Sequence, residues 1–144
     1  MARFDLSLLG DSALAARLAA LPEKTERKVL RQAMRRAGQP ILQAARSNAN
    51  RRSGRMARSI KLRALRRRKG RIGVAIQTGT RLELGIGADD QYYYPAIVEF
   101  GDGETHRPYR FMRRALDANR ATSMQRLRVE IGQGIEREAA TTTL

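Results

Sequence analysis

The chain has 144 residues, 42% of them hydrophobic and 30% charged, which suits one domain with its own core and is too apolar for wholesale disorder. Its 29 Lys and Arg against 14 Asp and Glu give a net charge of +15, a surplus that favours contact with something acidic. The absence of cysteine excludes disulfides, thiol catalysis and the usual Cys-based zinc and iron–sulfur sites. The best apolar run, Ala13 to Leu21, is short and interrupted by Arg17, so neither an export signal nor a membrane span is expected.

Asp11 or Ser12 can cap a first helix through Leu14, Leu18 and Leu21, and Pro22 suits the first turn of a second. In that second helix Val29, Leu30, Ala33, Met34, Ala37, Ile41, Leu42 and Ala45 recur at three- and four-residue spacing, with Lys28, Arg31, Arg35 and Arg36 on the other faces. Gly38-Gln39-Pro40 predicts a kink or a brief restart, and Asn48 to Gly54 reads as a loop. The period then changes to alternation. Ile60, Leu62 and Ala64, then Ile72, Val74 and Ile76, then Leu82, Leu84 and Ile86 predict three antiparallel strands. Their tips are Arg66-Arg67-Arg68-Lys69-Gly70 and the tight turn Thr78-Gly79-Thr80.

The segment from Tyr92 to Gly101 fits either a short helix or an edge strand, because Pro95 excludes an interior strand. After Pro108 a last helix is expected from about Tyr109 to about Glu138. Its apolar face is Met112, Ala115, Leu116, Met124, Leu127, Ile131 and Ile135, and Gly132 and Gly134 weaken its final turns. The expected architecture is therefore α+β: N-terminal helices, a small antiparallel sheet of three or four strands and a long C-terminal helix. Residues 1–138 would form a single domain, with 139–144 a flexible tail.

The basic surplus is concentrated. Arg51 to Arg71 holds 11 basic residues and no acidic one, and Arg66, Arg67, Arg68, Lys69 and Arg71 crowd one hairpin tip. Such a tip can reach a phosphate backbone or an acidic partner; the plainer alternative is a solvated loop that guards strand edges and solubility. No aromatic residue interleaves with these cations, which argues against dedicated single-strand or RNA recognition. Tyr92, Tyr93, Tyr94 and Phe100 are four of the chain's seven aromatics. They fit core packing or, together with Glu99 and Gly101, a subunit interface.

Catalytic candidates are few. Asp102, Glu104 and the single His106 lie close together, and Asp89-Asp90 are paired acids, but neither spacing matches a calcium, zinc or magnesium motif. Turn geometry explains Asp102-Gly103 equally well. The inventory predicts no enzyme, no metal and no cofactor.

Three segments together resemble the tail-completion or head–tail joining (neck) protein family of long-tailed bacteriophages. Ser53-Gly54-Arg55-Met56-Ala57-Arg58-Ser59-Ile60 is similar to its small-residue, Gly, apolar, Ser-Ile pattern, and Tyr94-Pro95-Ala96-Ile97-Val98-Glu99-Phe100-Gly101 to its Tyr followed by apolar-Glu-Phe-Gly. Arg107 to Leu116 is similar to its Pro, aromatic, apolar, Arg, Pro, Ala, Leu lead into the last helix, with Arg114 where the family often has Pro. The loop from Asp102 to Arg107 is longer and more charged than the family's. The likeness spans roughly Leu18 to Glu138.

The resemblance implies a structural virion protein, made in the host cytoplasm and placed at the neck or tail top. There it forms a homo-oligomeric ring, expected to be a hexamer. Its partners would be itself, the head–tail connector, the tail terminator or tail tube, and phage DNA in the channel, with no membrane. The competing readings are a freestanding basic nucleic-acid-binding protein and, resting only on Asp89, Asp90, Asp102, Glu104 and His106, a metal-dependent nuclease.

Overall fold

A computed structural model describes residues 11–49, 54–66, 68, 71–87, 89 and 93–142. Six helices and two strands follow in the order α1 (Ser12–Ala19), α2 (Glu23–Asn48), α3 (Arg55–Ser59), β1 (Lys61–Ala64), β2 (Val74–Gln77), α4 (Arg81–Leu84), α5 (Tyr94–Phe100) and α6 (Phe111–Thr142).

The frame is the pairing of α2, 26 residues, with α6, 32 residues. The two run antiparallel. Lys28 pairs with Glu138, Arg36 Nη1 with Glu130 Oε2 at 2.9 Å, and Asn48 Nδ2 donates to the Phe111 carbonyl at 3.3 Å. The apolar stripes expected from three- and four-residue spacing meet along this seam. The core falls into two clusters. One joins Leu14 and Leu18 of α1 with Val29, Ala33 and Ala37 and with Leu127, Ile131 and Ile135. The other packs Ile41, Leu42 and Ala45 with Met56, Ile60, Ile76, Leu84, Phe111, Met112 and Ala115. Asp11 caps α1, its Oδ1 accepting from Leu14 N at 3.1 Å, and Pro22 occupies the N-cap of α2.

Several expectations need correction. α2 is helical through Gly38-Gln39-Pro40 with no restart. Buried Ala37, Gly38, Ile41 and Leu42 hold both sides of the proline in the seam, and their packing offsets the one hydrogen bond that Pro40 cannot donate. Among the described residues the sheet has two strands, paired antiparallel with Leu62 opposite Ile76. Ile60 and Ile72 fall outside them: Ile60 is the wholly buried C-cap of α3.

The third run is a helical turn, α4, and the expected tight turn 78–80 leads into it. Thr80 Oγ1 accepts from Glu83 N at 3.3 Å and Glu83 Oε2 accepts from Thr80 N at 2.8 Å. Gly85, at φ 69°, ends the turn. A reciprocal capping box followed by a left-handed glycine outweighs three alternating apolar residues. α5 resolves the open choice at 94–100 as helix, with Pro95 in its first turn, where a missing N–H costs nothing. α6 begins at Phe111, two residues later than expected, because Arg110 takes a positive φ of 53°. It continues past Glu138 to Thr142, with the Thr141 and Thr142 hydroxyls donating to the carbonyls of Arg137 and Glu138.

Candidate functional site

α5 is held against the start of α6 by the side chain of Glu99, which is 9% exposed. Its Oε2 accepts from Met112 N at 2.9 Å and its Oε1 from Arg113 N at 3.0 Å. A helix N-terminus leaves such N–H groups without intrahelical partners, and its dipole favours a carboxylate there. Glu99, drawn from another element, supplies the cap that Arg110 cannot. The backbone joins in, as Tyr109 N donates to the Val98 carbonyl at 2.8 Å. Gly101 makes the reversal possible: its φ is 74°, and a Cβ there would lie 2.6 Å from the His106 carbonyl oxygen. The Glu-Phe-Gly segment thus divides its work, with Glu99 turned inward, Gly101 turning the chain and Phe100 left 71% exposed.

The tyrosines pack. Tyr93 and Tyr94 are half-buried against the core cluster of α3, β2 and α6. The Tyr93 hydroxyl donates to the Gly79 carbonyl at 2.7 Å and also meets Thr78 Oγ1. Burial raises the Tyr94 phenol above its ordinary pKa. Tyr92 lies outside the described residues.

Two grooves flank α5. One, of about 930 Å³, runs past Pro95, Ala96, Phe100, Arg110 and Arg114; the other, of about 510 Å³, past Ile97, Val98, Arg107 and Tyr109. The Arg114 guanidinium sits 5.2 Å from the centroid of the Tyr109 ring, within cation–π range. Surface this apolar beside a projecting aromatic is what an interface centre uses.

The Asp102 cluster is spent on its own loop. Asp102 Oδ1 accepts from the backbone N–H of Glu104, Thr105 and His106 at 3.0, 2.9 and 2.8 Å. Its Oδ2 meets Thr105 Oγ1 at 2.6 Å and His106 Nδ1 at 2.8 Å. These donors, the Thr105 hydroxyl foremost, hold the carboxyl far below the ordinary carboxylate range. Among the described residues no group of three or more His, Asp or Glu is placed to hold a metal ion. Asp89 is exposed and Asp90 lies outside the described residues.

The basic block divides in the fold. Lys61 Nζ and Arg63 Nη2 pair with Glu83 Oε1 at 3.0 and 3.3 Å, and Arg55 Nη1 donates to the Leu84 carbonyl at 3.2 Å. Arg66, Arg68 and Arg71 are exposed on the connection between β1 and β2, closed by Leu65 N to Gly73 O and Arg71 N to Arg68 O, both at 2.9 Å. Arg67 and Lys69 lie outside the described residues.

By sequence periodicity Arg31 and Arg35 occupy the outer faces of α2. Both line a small cleft with Leu65, Arg71 and Gly73, and so join the hairpin cations. A signal was present, since neither arginine has an acid three or four residues away.

The first motif is structural. Ser59 Oγ donates to the Met56 carbonyl at 2.7 Å and accepts from Gly79 N at 3.1 Å. Arg46 clamps the Ile60 carbonyl through Nε and Nη2 at 3.0 and 2.8 Å.

Fold and surfaces together define a small helix-rich protein whose distinctive exposed features are an aromatic ridge and a cationic patch. No helix among the described residues is long and apolar enough to cross a membrane. The family model described as "Bacteriophage HK97-gp10, putative tail-component" matches residues 12–101, from the first residue of α1 to the glycine after α5. The chain belongs to this HK97-gp10-like family of bacteriophage tail components, in line with the tail-completion and neck resemblance. No curated protein and no solved structure matches it.

Proposed function

We propose that this tail component is a structural virion subunit that closes into a ring at the head–tail interface, joining connector to tail. The observation that carries the proposal is Phe100, which stands exposed at the end of α5, lines the larger of the two grooves beside that helix and lies inside the family match. An aromatic 71% exposed next to apolar grooves is costly in water and favourable against a neighbour. In a ring each subunit meets its neighbours head to tail through two different surfaces, and rotation closes the circle. The α5 ridge supplies one of them. Sixfold closure follows the family resemblance, as do the other partners, connector on one side and tail terminator or tail tube on the other. The protein would be made in the host cytoplasm and work in the virion neck, as a scaffold with no reaction of its own.

Sedimentation of wild type and Phe100→Glu tests this. Wild type should assemble as concentration rises. The variant should need roughly 30-fold more protein, the effect of losing a hot spot of about 2 kcal/mol. A wild type that stays monomeric at every concentration, alone and with connector or tail-tube protein, overturns the proposal. A freestanding nucleic-acid-binding protein, the reading favoured by exposed arginines with no carboxylate partner among the described residues, would behave in that way while binding DNA.

A further inference from the structure

Of the cations in the segment Arg51 to Arg71, those at its start either act within the fold or lie outside the described residues. Arg66, Arg68 and Arg71 have no carboxylate partner among the described residues; Arg71, opposite Arg68 across an isolated antiparallel bridge, shares a cleft with Arg31 and Arg35 of α2. Arg31 and Arg35 are one helical turn apart on one face, about 6 Å along the axis. All five are exposed and no acidic side chain lines the cleft between the two elements. Like charges gathered without a counterion repel one another, so the arrangement is unfavourable until an anion arrives.

We propose that these five arginines form a composite site for the phosphate backbone of duplex DNA. The proposal rests on the tail-component reading only for the source of that DNA, the genome crossing the junction. Three observations favour phosphate over an acidic protein. The cations of the patch among the described residues are arginines, whose planar fork grips phosphate oxygens in pairs. The cleft, about 20 Å³, has room for little more than a water and offers no pocket for the apolar anchor that a protein interface centres on. Leu65, at the edge of exposure, is the one large apolar side chain of the patch that stands in solvent. A surface of guanidiniums without stacking rings holds a backbone and reads no sequence. The site spans two elements, so a hairpin peptide alone would lack two of its contacts.

The test is fluorescence anisotropy of the full chain on a random-sequence duplex across a salt series. Each phosphate contact contributes about −0.9 to the slope of log K against log salt. Arg31→Gln with Arg35→Gln should therefore lower the steepness by about 1.8, and adding Arg66→Gln, Arg68→Gln and Arg71→Gln should lower it by about 4.5 in all. These side chains are exposed and have no carboxylate partner among the described residues, so circular dichroism should match wild type and, with the repulsion relieved, the unfolding midpoint should not fall below it. A slope unchanged by the α2 pair overturns the composite site. So does a patch variant that loses binding to polyglutamate but keeps its duplex affinity, because that outcome assigns the patch to an acidic protein. Sedimentation of the same variants separates this site from the ring. The arginine variants should assemble like wild type, whereas Phe100→Glu should lose assembly and keep its salt slope.

Discussion

Removing the Glu99 carboxylate should detach α5 from α6 and cost a large part of the protein's stability. In Glu99→Ala the N–H groups of Met112 and Arg113 both lose their acceptor. Met112 is buried, so its N–H is left without water, whereas Arg113 is exposed and water can replace the carboxylate there. A hydrogen bond to a charged group is worth about 1.5–3 kcal/mol. Counting one in full and one in small part, with about 0.3–1 kcal/mol for the charge at the helix N-terminus, gives a loss of about 2–4 kcal/mol. Glu99→Gln keeps one oxygen acceptor but no charge, and should lose about half as much. Urea unfolding followed at 222 nm gives both values, provided the slope with denaturant is unchanged, and the larger should lower the thermal midpoint by about 5–15 °C. Hydrogen exchange should speed up at the first turn of α6 and across α5 before it does so in the α2/α6 seam. Glu99→Ala within about 0.5 kcal/mol of wild type, the range of an ordinary surface substitution, would refute the capping role.

The two glycines of α6 should respond in opposite directions to the same change. A Cβ at Gly132 meets nothing within 4 Å, whereas one at Gly134 would lie 2.7 Å from Val29 Cγ1. Thermal unfolding should therefore show Gly132→Ala stabilised by about 0.5–1 kcal/mol and Gly134→Ala destabilised by about 1–3 kcal/mol; equal effects would deny the close approach of α2 and α6. Ser123→Ala should raise stability by about 1 kcal/mol, since the Ser123 hydroxyl is wholly buried and has no hydrogen-bond partner among the described residues, and a loss in chemical denaturation would reveal a bond. The Asp102 carboxyl, held low by its donors, favours the closed loop above the pKa of a free Asp, and that contribution fades only as pH falls through the lower folded value. The Asp102 carboxyl and Thr105 amide resonances should stay unchanged from pH 6 to about 3, below the ordinary Asp midpoint of about 3.9; a midpoint near 4 contradicts the loop geometry.

The long helices were legible because burial is periodic there. Every residue of the expected apolar face of α6 is buried or packs on the core, since three- and four-residue spacing over 32 residues leaves one answer. The short elements were not. Leu82, Leu84 and Ile86 alternate as a strand would, yet Leu82 is 90% exposed and Leu84 2%. Three residues cannot separate the two periods, and Thr80 with Glu83 carried the better signal. At Pro40 the chain stays helical instead of restarting, because a local penalty is set against a seam whose packing involves both long helices. Gly134 is likewise a poor helix former kept for contact with Val29.

The functional surfaces divide on the same line between local and non-local information. That Glu99 points inward while Phe100 points out depends on α6 beginning eleven residues after Phe100, and no period within α5 announces it. The basic segment shows this most sharply. As sequence it is one run of like charges; in the fold Lys61 and Arg63 neutralise Glu83, while Arg71 shares a cleft with two further arginines on α2. Charge in sequence therefore overstates the hairpin and misses the helix. The arginine cleft shares no lining residue with either groove beside α5, so the proposed subunit contact and the proposed anion contact fall on separate surfaces. A substitution at one need not weaken the other, and under the proposed roles that separation would let one small subunit hold its neighbours while its cations stay available to a third body.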